Sequence, residues 1–116
     1  MAARLGKPIV LSEFGLNRDK GSYDPAAPVA ARDRFYQAVY ARLLQHARAG
    51  APIAGSNFWA WGGRGRTANP DWMWKEGDPF TGDPPQEAQG LFSLFDSDRS
   101  TLEIVSAHAR QLRALP

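Results

Sequence analysis

The chain contains two apolar segments of strand length, and each one precedes a segment with helical periodicity. The first segment covers residues 9–11 and is closed by Gly15, a bounded apolar run that is typical of a buried parallel strand. The second segment covers residues 53–61. Two parallel strands leave both edges of a sheet without partners. The sequence therefore predicts two βα units of an α/β protein that need neighbouring strands from elsewhere.

The helical segments are predicted from their apolar spacing. Residues 28–49 place Phe35, Val39 and Leu43 four residues apart, with a proline in the first turn and Gly50 just past the end. A second helix is predicted to begin at Ser100, which has a glutamate three residues later in the spacing of a capping box.

Between the second strand and the last helix, residues 62–98 show no clear periodicity. Loops of this length are uncommon in compact domains and are usually functional or disordered. The segment is rich in tryptophan, phenylalanine and leucine, which argues against disorder. We therefore expect an ordered, functional loop.

Composition excludes several classes of function. The net charge is only +2 and no run of five basic residues occurs, so nucleic-acid binding is not expected. The chain has no cysteine and no apolar stretch of 18 residues, which argues against thiolate metal sites and membrane spans. Residues 1–7 lack the apolar core of a signal peptide. No cofactor and no metal are predicted.

Glu13 is the best candidate for a catalytic residue, because it directly follows the first strand. In (β/α)8 barrels the active site lies at the carboxyl ends of the strands. A solvated glutamate at a strand end is an equally good interpretation of this position alone. Trp59 and Trp61 end the second strand, and their spacing predicts that they share one face. Either tryptophan is expected to stack on a sugar ring or to pack in the core.

Two further candidates lie in the long loop. Trp74 belongs to a group of loop tryptophans that are expected either to stack on sugar or to pack the loop onto itself. Asp78 opens the acidic segment 78–83, which lacks the acid spacing of an EF-hand and is expected to form a turn rather than a calcium site.

These segments together resemble a known family. Residues 7–15, with the sequence Lys-Pro-Ile-Val-Leu-Ser-Glu-Phe-Gly, resemble the seventh-strand segment of family 5 endo-β-1,4-mannanases. Residues 55–63 are similar to the eighth strand, and residues 83–90 and 93–98 resemble a stretch of bacterial members. The resemblance implies that Glu13 is the nucleophile.

The resemblance also implies a fold and further site residues. Residues 1–116 would form the C-terminal quarter of a (β/α)8 barrel, comprising strands seven and eight with their helices. Trp59 would stack against the sugar at the cleavage point, and Trp61, Trp74 and Asp78 would be further cleft residues. Ser12 departs from the family pattern, since many bacterial members have a second acid there.

The expected reaction needs a second carboxyl group that protonates the leaving oxygen. In the family this glutamate follows an asparagine, and none of the four glutamates of this chain does so. The expectation is therefore a fragment of a retaining endo-β-1,4-mannanase that acts on β-mannan or a related polysaccharide. Its structural partner would be the missing N-terminal part of the barrel, or further copies of the chain through self-association.

Three alternatives remain open at this point. The chain could be a carbohydrate-binding piece without catalysis, a cellulase-like β-glycanase of the same family, or a structural piece that pairs with a separate chain. By analogy with polysaccharide-degrading enzymes, the parent protein is expected to be secreted or periplasmic.

Overall fold

The computed structural model describes residues 6–115, and the segment of residues 1–7 that was tested for a signal peptide lies mostly outside this range. The elements in chain order are β1 Ile9–Phe14, α1 Ala30–Arg48, β2 Ile53–Phe58, β3 Trp61–Gly63, β4 Leu94–Phe95 and α2 Arg99–Arg113. A 3₁₀ turn at Asp19–Gly21 follows β1. The predicted alternation of strand, helix, strand and helix is confirmed.

Strands β1 and β2 pair in parallel, and helix α1 connects them. Ile9 is opposite Ile53 at the amino ends, and Phe14 is opposite Phe58 at the carboxyl ends. Both strands therefore finish at the same edge of the sheet, so residues just after Phe14 and Phe58 become neighbours.

Helix α1 begins two residues later than predicted. Its first backbone N–H groups, those of Ala30 and Ala31, donate to the Asp19 carboxylate over 3.2 and 2.9 Å. A carboxylate is favoured there by the free N–H groups and by the helix dipole. At the other end, Gly50 has a φ of +80°, which confirms its predicted position just past the helix.

The core forms where the sheet packs on α1. The Phe14 ring lies 5.5 Å from the ring of Tyr36 and 5.7 Å from that of Tyr40. The Phe58 ring lies 6.1 Å from that of Tyr36. Buried aromatic pairs of this kind add about 0.5–1.5 kcal/mol each beyond the area that they bury. The partly buried residues around them are Leu11, Phe35, Val39, Leu43, Ile104 and Val105.

The buried environment that was predicted for the first strand is not provided by this chain itself. Ile9 is 41% exposed and Val10 is 49% exposed. The reason is that, within residues 6–115, β1 and β2 pair only with each other. The apolar side chains that the sequence provides for a buried strand therefore face open space.

The second predicted strand is also too long. It ends at Phe58, the Trp59–Ala60 peptide bond is cis, and Trp61 begins the separate strand β3, which pairs in parallel with β4. The prediction that Trp59 and Trp61 share one strand face is therefore wrong, because the period-two alternation stops between them.

The predicted cap of the last helix is wrong as well. Helix α2 begins at Arg99 with Asp98 in the cap position, so Ser100 already lies inside the helix. Ser100 and Glu103 are both exposed and do not form the reciprocal bonds of a capping box. Neither α1 nor α2 has the length and hydropathy that a membrane-crossing helix requires.

Candidate active site

Glu13 lies at the carboxyl end of β1 with its side chain exposed. Its neighbour Phe14 points into the aromatic core, as does Leu11, and the register of β1 against β2 shifts between these two residues, so the regular alternation of the strand is interrupted next to Glu13. The backbone at Glu13 has a φ of +56°, a left-handed conformation that is uncommon for a residue with a side chain. Such residues cost about 1–3 kcal/mol and cluster at functional sites.

Trp59 is held beside Glu13 by the backbone of the next two residues. The Trp59 N–H group donates to the carbonyl oxygen of Phe14 over 2.7 Å. A Cβ atom on Gly15 would collide with the carbonyl oxygen of Trp59, so only glycine allows the two segments to approach this closely. In the Glu-Phe-Gly sequence, Glu13 therefore lies at the candidate site, Phe14 packs in the core, and Gly15 allows the close approach of Trp59.

Glu13 and Trp59 line the same cavity, which has a volume of about 480 Å³. Its remaining lining residues are Gly15, Pro84, Glu87 and Phe92. A larger cavity of about 700 Å³ lies between the α1–β2 turn and the end of α2, and its lining contains no carboxylate. The smaller cavity is thus the better candidate, because it lies at the carboxyl ends of the strands.

Glu87 is the second carboxylate in the lining of this cavity, and the sequence analysis did not propose it as a site residue. It belongs to the long loop, and the loop carries it back to the ends of β1 and β2. Its resemblance segment, residues 83–90, was the only sequence signal that pointed to this part of the loop.

The comparisons with known proteins agree with this geometry. The model of a family described as GH family 5 beta-mannosidase-like matches residues 1–116. That match covers the whole chain, including both strand ends that line the cavity.

The chain belongs to glycoside hydrolase family 5.

Individual relatives support the same assignment. A putative mannan endo-1,4-beta-mannosidase 4 of Arabidopsis thaliana is 30% identical over 112 residues, which is 96% of this chain and 22% of that protein. Mannan endo-1,4-beta-mannosidase 4 of Solanum lycopersicum is 33% identical over 67 residues, which is 58% of this chain and 16% of that protein. The chain thus spans less than a quarter of these curated relatives.

A solved family 5 structure matches nearly the entire chain. The family 5 mannosidase of Rhizomucor miehei, solved in complex with mannosyl-fructose, superposes with a TM-score of 0.79 and 35% identity. The match covers 97% of this chain and 28% of that one, and such enzymes are (β/α)8 barrels. The fold of this family 5 chain therefore corresponds to part of a barrel.

The other predicted cleft residues lie outside the Glu13 cavity. Trp61 is 55% exposed on β3. The Trp74 ring stacks on that of Phe80 with a centroid distance of 5.4 Å, and its Nε1–H group donates to the carbonyl oxygen of Asp78 over 3.1 Å. Trp74 and Asp78 are thus close to each other, in a part of the loop that packs on itself. Their role in binding sugar stays a prediction.

The Asp78 carboxylate stabilises a turn over residues 75–78, which lies just before the segment 78–83 where a turn was expected. Its Oδ2 atom accepts hydrogen bonds from the Asn69 side chain over 2.6 Å and from the backbone N–H of Lys75 over 2.9 Å. Within residues 6–115 no cluster of three or more histidine, cysteine or acidic residues is arranged to hold a metal ion.

A buried cluster of charges fixes the loops behind the site. Asp98 forms a bidentate pair with Arg18 over 2.9 and 2.7 Å, and it pairs with Arg32 over 2.8 Å. Burial alone would raise the pKa of Asp98, but hydrogen bonds from Arg18 and the backbone of Phe95 outweigh it, so the pKa is lowered. Asp98 thus stays ionised and joins α1, α2 and the segment after β1.

Proposed function

We propose that this chain carries the nucleophile of a retaining β-mannan hydrolase and acts within a (β/α)8 barrel. The observation that carries the proposal is that Glu13 and Trp59, from the carboxyl ends of adjacent parallel strands, line one cavity. The family supports the reaction class, since its curated relatives are named as mannan endo-1,4-beta-mannosidases.

In the proposed first step, a carboxylate oxygen of Glu13 attacks the anomeric carbon of a mannosyl unit. The bond from that carbon to the leaving oxygen breaks, and the leaving oxygen takes a proton from a carboxylic acid. A covalent glycosyl ester on Glu13 remains. Water, deprotonated by the same carboxylate that gave up the proton, then hydrolyses the ester with net retention of configuration.

The proton donor is proposed to come from another part of the barrel. In retaining enzymes the two carboxyl groups lie about 5–5.5 Å apart. We assign β1 and β2 to the seventh and eighth barrel strands, and residues 1–116 to the C-terminal quarter. The exposed apolar side chains of Ile9 and Val10 support this assignment, because neighbouring barrel elements would cover them.

Trp59 is the proposed stacking platform for the sugar that is attacked. Its ring is half-buried and lines the cavity together with Glu13, so one face is available to the apolar side of a pyranose ring. Trp61, Trp74 and Asp78 keep the proposed role of outer cleft residues. Because the substrate is a polysaccharide, we propose that the whole protein works outside the cytoplasm.

Chemical rescue tests the nucleophile directly. In a complete barrel that contains this chain, Glu13→Ala should lose activity on an activated aryl β-mannoside and regain it when azide is added. Azide would attack from the face that Glu13 vacates, so the product should be the α-mannosyl azide. A β-mannosyl azide would instead identify Glu13 as the acid/base, and a variant that keeps wild-type activity would remove it from the mechanism.

The mode of cleavage is tested separately. We propose internal cleavage, as in the plant relatives, whereas the fungal structural relative is named a mannosidase. Mannohexaose should first yield mannobiose, mannotriose and mannotetraose. If mannose and mannopentaose were the only first products, the enzyme would act from the chain end instead.

A further inference from the structure

We propose that Glu87 is a substrate-binding carboxylate that accepts hydrogen bonds from hydroxyl groups of the sugar in the Glu13 cavity. The inference rests on the proposed function. It begins from the observation that two carboxylates from distant parts of the sequence, Glu13 and Glu87, line the same cavity as Trp59.

The backbone around Glu87 is fixed by a buried side chain. Gln89 is only 1% exposed, and its Nε2 group donates to the carbonyl oxygens of Pro84 over 2.7 Å and of Glu87 over 3.0 Å. Its Oε1 atom accepts from the hydroxyl of Thr81 over 2.8 Å. The Glu87 N–H group donates to the carbonyl oxygen of Pro84 over 3.0 Å, which closes the turn.

Gly90, the residue that follows Gln89, is also held by a buried side chain. The backbone N–H of Gly90 donates to the buried carboxylate of Asp83 over 2.6 Å. The segment from Asp83 to Gly90 is thus bonded at both ends and in the middle. A carboxylate presented on such a platform loses little conformational freedom when it binds, and pre-organisation of this kind is what raises affinity.

The Glu87 side chain itself is available for a ligand. It is exposed, and within residues 6–115 its carboxylate makes no hydrogen bond or ion pair. Buried polar contacts hold the backbone, whereas the side chain lines the cavity and has no hydrogen-bond partner among residues 6–115. An ionised carboxylate accepts hydrogen bonds only, and adjacent hydroxyls of a mannosyl ring are donors of matching spacing.

A binding role and an acid/base role predict different kinetics. A residue that holds the sugar equally in ground and transition states changes KM and leaves kcat intact. A residue that transfers the proton changes kcat and removes one limb of the pH profile. The first pattern is the expected one, because the family places its acid/base glutamate after an asparagine and Glu87 follows Gln86.

The experiment compares Glu87→Ala and Glu87→Gln with Glu76→Ala, all in a complete barrel that contains this chain. Glu76 is a matched control, since it is an exposed glutamate of the same loop that does not line the cavity. With mannotriose and mannohexaose as substrates, Glu87→Ala should raise KM by about 10-fold to 100-fold, the range of a hydrogen bond to a charged group. Its kcat should stay within about threefold of wild type, and both limbs of the pH profile should remain. Glu76→Ala should match wild type.

Two results would overturn the inference. A KM within twofold of wild type for both Glu87 variants would show that the carboxylate does not touch the substrate. A loss of kcat by 100-fold or more with one pH limb missing would make Glu87 the acid/base. Either result leaves the nucleophile proposal standing, because that proposal is tested at Glu13 alone, by the residual activity of its variants and by the anomer of the azide product. Thermal unfolding of each variant checks that the fold is retained.

Discussion

Glu13 and Asp98 are two carboxylates of one small chain that lie in opposite environments. Glu13 is exposed, has a left-handed backbone conformation and, within residues 6–115, makes no side-chain hydrogen bond or ion pair. Asp98 is buried, and two arginines and a backbone N–H group surround it. The charge of Asp98 is paired within the chain, whereas the Glu13 region presents a carboxylate and an aromatic ring to open space.

The difference separates stabilisation from chemistry. A buried carboxylate whose two oxygens already accept hydrogen bonds from the protein is not available to a substrate. An exposed carboxylate in a strained backbone contributes little to stability, and such strain persists where the surrounding structure over-determines it. We therefore expect changes at Glu13 to alter catalysis with little effect on folding, and changes at Asp98 to do the reverse.

The largest effect is expected when the chain stands alone. Residues 1–116 expressed by themselves should show no mannanase activity on soluble galactomannan, since a positioned acid or base typically contributes about 10²–10⁴-fold. The open strand edges and the exposed Ile9 and Val10 favour self-association. Size-exclusion chromatography checks this part. A monomer that unfolds cooperatively and cleaves mannan would contradict this expectation, because the Glu13 region would then need no further part of a barrel.

In a complete barrel, Glu13→Gln should lower kcat by roughly 10³-fold or more, because an amide is a poor nucleophile and the loss of a catalytic nucleophile costs several orders of magnitude. Binding of mannan oligosaccharides should remain, since glutamine is nearly isosteric. The melting temperature should change little, because within residues 6–115 the side chain makes no hydrogen bond or ion pair that the substitution would remove. Turnover above a tenth of the wild-type value would contradict the assignment.

Asp98→Asn should have the opposite signature. The substitution leaves the buried guanidinium groups of Arg18 and Arg32 without a negative partner, and breaking a buried pair in this way costs about 3–5 kcal/mol. Denaturant unfolding of the complete barrel measures the loss. The neighbouring Asp96→Asn is the control, since its pair with Arg66 is half-exposed and should contribute little. Equal losses for both variants would mean that burial of the cluster is not what stabilises it.

Trp59→Ala should weaken catalysis more than Trp72→Ala does. The Trp59 ring lines the cavity, so its removal should lower kcat/KM by roughly 10-fold to 100-fold. This factor corresponds to the free energy of burying a large apolar side chain. The Trp72 ring instead stacks on that of Tyr23, with centroids 5.7 Å apart. Comparing kcat/KM of the two variants tests this, and a larger loss at Trp72 would move the sugar platform into the loop.

The spacing of apolar residues along the sequence predicted the helices and strands whose formation depends on residues close together in the chain. The four-residue spacing of Phe35, Val39 and Leu43 predicted helix α1 nearly to its ends, because apolar side chains at this spacing lie on one side of a helix. The fully buried stripe is the adjacent one, formed by Arg32, Tyr36, Tyr40 and Leu44. The strand ends of Glu13 and Trp59 met as expected, since parallel strands finish at one edge. The catalytic roles of these residues stay predictions.

What the sequence missed depends on contacts between distant residues. The cap at Ser100 was wrong because Asp98 is held by Arg18, which is 80 residues away in the chain. Glu87 was overlooked because the loop that carries it is shaped by the buried amide of Gln89 and the carboxylate of Asp83. Periodicity contains no information on such bonds.

The smallest expected effect is a pH dependence of stability that sets the helices apart from the site. His108 on α2 is buried against Tyr40, with ring centroids 4.0 Å apart, and within the described residues neither ring nitrogen has a hydrogen-bond partner. Burial lowers the pKa of His108, so the unfolded chain takes up its proton first as the pH falls. The free energy of unfolding should therefore be constant above the ordinary value of about 6.5 and should decrease below it. Burial raises the pKa of Tyr40 to about 12, so this phenol does not titrate in the same range.

The experiment measures the free energy of unfolding at pH 8 and at pH 5. The difference between the two values should shrink in His108→Gln and persist in His46→Gln, whose side chain is exposed on α1. If the difference between pH 8 and pH 5 were unchanged in His108→Gln, the acid sensitivity would come from carboxylates instead, and Asp98 would be the first one to test.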